Sequence, residues 1–184
     1  MARSLSSRPT VRLVATTWSG PRTPGRVYIE ELTVPDDGLS QAFFQLTDYP
    51  VEDRARVPSE ELDVGGGRTL HVPKSLKGVA VFSFRKLVGE PRGAADYLAI
   101  AQRFHTVILV GIPVMTREMR NEAARFVTLV DALYEHKVKL LASADAEPAG
   151  LYPQGDGRFE FDRTLSRLEE MGSADYLAEG HGAA

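Results

Sequence analysis

Thr106-Val107-Ile108-Leu109-Val110-Gly111-Ile112-Pro113 is the stretch on which the reading of the fold turns. A continuous, largely β-branched apolar run closed by glycine and proline suits a strand buried on both faces of a parallel sheet. Such a strand needs a crossover helix and a parallel neighbour, and the sequence downstream supplies both. Thr116 is placed to N-cap a long helix with an inward stripe of Ala123, Phe126, Val127, Val130 and Tyr134, and 138–143 is a second apolar strand. Residues 105–143 therefore predict a βαβ unit, its two strands parallel in one sheet and its helix packed across them.

Upstream of this unit the apolar period is again helical from Gly93, with Tyr97, Leu98, Ala101 and Phe104 recurring on one face. Before that the period is two. Residues 61–64 and 68–72 alternate on either side of Gly65-Gly66-Gly67 and predict a hairpin, and 79–84 reads as a third strand, giving a small antiparallel piece over 61–84. Downstream, a last helix over 162–170, resuming at 173–177, offers Leu165, Leu168 and Met171 as its buried face. The fold class is α/β: a partial parallel sheet, an antiparallel hairpin piece and a C-terminal helix. Nearer the amino terminus, 11–15 predicts a short strand, 18–25 a turn-rich linker and 27–32 another strand. Asp37 is expected to cap a helix over 39–46 that Pro50 would end.

At 184 residues with no cysteine, the chain is sized for one domain and has no disulfide, thiolate metal site or cysteine nucleophile. A net charge of -3 argues against nucleic acid as a partner, because such binding depends on clustered Lys and Arg. Residues 1–26 carry Arg3, Arg8, Arg12, Arg22 and Arg26 and no acid. Pro9, Pro21 and Pro24 would interrupt an amphipathic transit helix, so a basic, disordered leader is expected, then a folded part over 27–178 and a tail at 179–184. No apolar run reaches the roughly 20 residues of a membrane helix, so a cytoplasmic location is expected. His71, His105, His136 and His181 each lack a second ligand at metal spacing, and no metal site is expected.

Residues 65–75 superficially suggest a phosphate loop, glycines followed by Lys74-Ser75. In G-x-x-x-x-G-K-[ST] a glycine directly precedes the lysine, whereas here Pro73 does, and Arg68 stands where the first glycine belongs. Proline has no N–H to offer a phosphate, so a hairpin turn is the better reading. The 106–110 strand is similar to the one that, in P-loop ATPases, ends in a magnesium-holding aspartate and a glutamate; Val110, Gly111 and Ile112 fill those places. Arginines are the remaining candidates for phosphate chemistry, since a guanidinium neutralises charge on a phosphoryl group. Arg163 and Arg167, four apart on the last helix, are the candidate catalytic pair, and Arg120 and Arg125 on the long helix the candidate nucleotide contacts. The bland alternative is a solvated face, with Glu122 and Glu170 within a turn of Arg125 and Arg167. A short echo, Gly93-Ala94-Ala95-Asp96-Tyr97-Leu98-Ala99 against Gly172-Ser173-Ala174-Asp175-Tyr176-Leu177-Ala178, is explained by shared helix-start chemistry.

Taken in order, Val81-Phe82-Ser83-Phe84, Arg92-Gly93-Ala94-Ala95-Asp96-Tyr97-Leu98, Phe104-His105-Thr106, Ile112-Pro113, Asn121-Glu122-Ala123-Ala124-Arg125-Phe126-Val127, Val130-Asp131-Ala132-Leu133-Tyr134 and the 161–171 run resemble the ZapE-type cell-division ATPases and their mitochondrial relatives. The resemblance implies the closing half of an AAA-class, P-loop-type ATPase, using ATP and Mg²⁺, with an FtsZ-type division protein or a membrane-associated protein as partner. It also implies a place at the inner membrane or division site. The family's ATP-cradling loop and Mg²⁺ carboxylates belong to an amino-terminal half with no counterpart here. Two departures stand out: Gly111, where the family carries an acidic residue, and Ala124, where it often carries a second arginine. The chain is thus expected to depend on a separate amino-terminal half. The alternative is a non-catalytic interaction domain.

Overall fold

In a computed structural model, residues 43–44, 46–49 and 55–182 are described, together with the backbone of 11–13. The strands are β1 (Val11–Leu13), β2 (Glu60–Gly65), β3 (Arg68–Val72), β4 (Lys74–Leu76), β5 (Val79–Ser83), β6 (Thr106–Ile112) and β7 (Lys139–Ala144). The helices are α1 (Phe84–Leu87), α2 (Ala94–Arg103), α3 (Arg120–Glu135), α4 (Arg158–Met171) and α5 (Ala174–Ala178). Five strands form one sheet in the order β1-β7-β6-β5-β4, and β2-β3 form a second, two-stranded sheet. β5, β6 and β7 run parallel, with β4 antiparallel on one edge and β1 antiparallel on the other.

The expected βαβ unit is β6, α3 and β7. Its strands are buried on both faces because side chains alternate across the pleat. Ala80, Phe82, Val107, Leu109, Leu140 and Ala142 join the helices in the larger core, whereas Val79, Ile108 and Leu141 face Phe43 and Phe44 on the opposite side. Phe43, Phe44 and Leu46 are the described part of the helix expected over 39–46, which continues to Thr47; the strand expected at 27–32, and the leader apart from 11–13, lie outside the described residues.

Several local expectations are revised. The strand 79–84 is not a third strand of the β2–β3 sheet: β5 pairs with β4 in a second hairpin and at the same time parallel with β6, so it belongs to the main sheet. β6 does not stop at Val110 but runs to Ile112, through an irregularity between Leu109 and Ile112 where Gly111 has φ +79°. Thr116 precedes a 3₁₀ turn, Arg117–Met119, that leads into α3. On α3 the buried residues are Ala123, Phe126, Leu129, Val130 and Leu133, with Val127 and Tyr134 only partly covered. On α2, Leu98 is exposed and Ile100 buried in its place. α4 begins four residues earlier than expected, at Arg158, behind Gly157 with φ +80°. Phe161, Thr164 and Met171 are its buried positions, with Leu165 and Leu168 half covered.

The β2–β3 hairpin turns through Gly65, Gly66 and Gly67, all with positive φ, the conformation that glycine adopts without a Cβ penalty. Leu62, Val64, Leu70 and Val72 put its apolar face into the core. Arg103 Nε donates to Glu60 at 2.8 Å and Arg68 pairs with Asp96 at 3.1 Å, fastening both strands to α2.

Candidate functional site

Ligands of open parallel sheets gather outside the carboxyl ends of the strands, where the loops lead back to the helices. Here those are the β6–α3 loop, 113–119, and the β7–α4 segment, 145–157. The two are tied together: Met115 N–H donates to Leu151 O at 2.7 Å, and Asp145 N–H to Ile112 O at 2.9 Å. Between them lies a cleft of about 520 Å³ lined by Arg117, Glu118, Arg120, Gly155 and Asp156. Arg120 stands 3.6 Å from the Asp156 carboxylate.

The four arginines singled out from the sequence are not brought together. Arg120 lies in this cleft. Arg125 is committed elsewhere, its Nε donating to Val88 O at 2.7 Å and its Nη2 to Gly89 O at 3.4 Å, with Glu122 alongside at 3.5 Å. It ties α3 to the chain leaving α1. Arg163 and Arg167 share Asp131, Arg163 at 3.2 Å and Arg167 in a closer contact, while Glu135 also approaches Arg167 and the Arg167 guanidinium lies over the Tyr134 ring. Arg167 is largely enclosed at 21% side-chain exposure; Arg163, at 60%, still offers most of its donors to solvent. Arg117 was not singled out from the sequence, although Arg117-Glu118-Met119-Arg120 places two arginines three apart.

Among the described residues, the end of β6 carries no carboxylate that would hold a magnesium–nucleotide. Val110 and Gly111 form the irregular end of β6, and the Gly111 N–H is taken by Ser143 Oγ at 2.9 Å. Among the described residues no group of three His, Asp or Glu side chains is placed to bind a metal. Lys74 begins β4 instead of closing a phosphate loop, and the following Ser75 donates to Glu60 at 2.8 Å. The described residues at this end of the sheet therefore include no set fitted to Mg²⁺–ATP.

At the opposite end of the sheet, Lys139 Nζ reaches Tyr176 O and Glu179 O at 2.9 Å and Lys137 O at 3.2 Å, holding the end of α5 against β7. Burial brings its pKa down to about 8, the Glu179 carboxylate opposing the shift and the Lys137 ammonium adding to it. The unfolded chain, with the ordinary value near 10.5, then binds more protons between about pH 8 and 10.5, so this group adds stability as pH rises through that window. Urea unfolding at pH 7.5 and 9.5 should accordingly show Lys139→Met losing ground relative to the unsubstituted chain at the higher pH. Parallel pH dependence in the two would contradict this assignment.

These features define an α/β protein with a parallel-sheet core and an arginine-bearing cleft at its carboxyl end. The family model for AFG1-like ATPases matches residues 30–180, and the chain belongs to that family. It is 42% identical over 156 residues to the cell division protein ZapE of Escherichia coli K12, covering 78% of this chain and 41% of that protein. It is 33% identical over 139 residues to an uncharacterised protein of Schizosaccharomyces pombe, covering 60% of this chain and 31% of the relative. Against lactation elevated protein 1 homolog B of Danio rerio it is 38% identical over 109 residues, 59% of this chain and 22% of the relative. The chain thus spans about two fifths or less of the length of these relatives. No solved structure matches it. Among the described residues, no helix is long and apolar enough to cross a membrane.

Proposed function

We propose that this chain is the carboxy-terminal part of an AFG1-like ATPase, that it does not turn over ATP alone, and that it works with a phosphate-cradling, Mg²⁺-holding segment it does not itself carry. The observation that supports this most is the carboxyl end of β6 and β7. It has arginines but neither a nest of glycine N–H groups before a lysine nor a carboxylate at the end of β6. In this reading the chain supplies a parallel sheet and the helices packed on it, and Arg163 is the arginine left open for an anion held by the other segment. The relation to the Escherichia coli cell division protein suggests that the activity serves cell division.

A chimera tests it: this chain replaces the matched region of the Escherichia coli protein, and phosphate release is followed. The chimera should turn over ATP, and Arg163→Ala within it should slow release by about tenfold, the loss of one charge-assisted contact. A folded chimera without turnover would refute the proposal, and unchanged turnover in Arg163→Ala would reduce that residue to a surface partner of Asp131.

A further inference from the structure

The cleft between the β6–α3 and β7–α4 loops has properties the ATPase reading does not use. Its two arginines project from the 3₁₀ turn and the first residue of α3, while Gly155 and Asp156 close the other side. The pair across it is weak. At 3.6 Å the Arg120–Asp156 contact is longer than a hydrogen bond, and with side-chain exposures of 65% and 85% the pair is screened by solvent. The second carboxylate of the cleft, Glu118, is engaged by the Thr116 hydroxyl, which holds it below the usual carboxylate range.

The backbone around Asp156 is held by its neighbours while its side chain is 85% exposed. The Tyr152 hydroxyl donates to Asp156 O at 2.8 Å, and the buried Tyr152 ring packs so closely on Gly155 that a Cβ there would meet its hydroxyl. Gly155 and Gly157, at φ +144° and +80°, leave no side chain on either side of Asp156, so the approach to both guanidinium groups is open. Arg125 and Arg167 lack this freedom, the one tied to main-chain carbonyls and the other enclosed against Asp131, and Arg163 lies outside the cleft beside Asp131.

We propose that this cleft is a phosphate-binding site, in which Arg117 and Arg120 grip a phosphate or pyrophosphate group and the Asp156 carboxylate is the internal competitor that the anion displaces. A multiply charged tetrahedral anion offers two guanidinium groups more oxygens than one carboxylate can, and the cleft is roomy enough for more than a single phosphate. The site belongs to this chain alone and needs no turnover, so failure of the chimera would leave it untouched.

The test is a titration of the isotope-labelled full chain with sodium pyrophosphate at constant ionic strength, following the Gly155 and Gly157 amides and the arginine side-chain N–H signals by NMR. Parallel titrations use inorganic phosphate and acetate. A saturable shift with pyrophosphate is expected, weaker with phosphate and absent with acetate. Arg117→Ala and Arg120→Ala should each weaken it about tenfold, the loss of one charge-assisted contact. Asp156→Asn should tighten it several-fold, and Arg103→Ala, which removes the α2 guanidinium that pairs with Glu60, should leave it unchanged. Non-saturating shifts, equal response to acetate, unchanged affinity in both arginine variants, or weaker binding by Asp156→Asn would each overturn the proposal.

Discussion

Phe126→Ala is expected to destabilise the chain by about 3–5 kcal/mol, the usual result of emptying an aromatic site in a closed core. Phe126 is fully buried on α3, with its ring centroid 6.1 Å from Phe84 of α1 and 5.9 Å from Phe161 of α4, and Phe161 in turn lies 5.5 Å from Tyr152. The substitution opens a cavity at the point where three helices and the β7–α4 segment meet. For a chain of this size the loss corresponds to a fall in melting temperature of roughly 6–20 °C. Thermal and urea unfolding would measure it. Phe159→Ala is the control: its side chain is 85% exposed, and a change within about 0.5 kcal/mol is expected.

Asp96→Ala is expected to cost about 2–3 kcal/mol, although an aspartate at a helix start is ordinarily worth less. This carboxylate is 3% exposed; it accepts from Gly93 N–H at 2.8 Å and from Arg68 at 3.1 Å. One side chain thus caps α2 and docks the tip of the β2–β3 hairpin. Removing it strands a helix-start N–H and breaks a charge-assisted bond between two elements. Its counterpart in the echoed sequence, Asp175, is exposed at the start of α5, where Ser173 Oγ accepts from Tyr176 N–H instead. Asp175→Ala should therefore fall within about 0.5 kcal/mol. Equal losses at the two positions in urea unfolding would contradict this division of roles.

That contrast marks how far the sequence could be read. The echo pointed to shared helix-start chemistry, and both copies do open helices. Both tyrosines also turn their hydroxyls inward, Tyr97 to Leu87 O and Tyr176 to Leu133 O and Val138 O. Which aspartate would be buried depended on a hairpin arriving from 28 residues away, and nothing local records that. The βαβ unit was legible because β6 and β7 are apolar on both faces and α3 keeps a helical period. The inward stripe of α3 was misplaced by a fraction of a turn because the helix packs against α2 and α4 as well as the sheet, so its apolar face is broader than one stripe. β5 was assigned to the wrong sheet because alternation reports which residues face inward and not which strand lies alongside.

The candidate site was harder still. Arg120 was singled out by residue type, yet the cleft exists only because parallel pairing of β6 with β7 brings the Arg117–Arg120 turn beside Gly155-Asp156. Arg125 looked identical in sequence, but main-chain carbonyls hold it, and carbonyl acceptors leave no trace in residue identity. Arg163 and Arg167 were paired correctly as neighbours on one helix face. Their common partner, Asp131, sits on α3 and could not be inferred from α4 alone.

The most direct test of the account is phosphate release from ATP and Mg²⁺ by this chain on its own. The expected result is no release above background, unaltered by Lys74→Ala. Steady turnover by the isolated chain that disappears in Lys74→Ala would mean that 65–75 cradles a nucleotide after all, and the division of labour proposed here would be wrong.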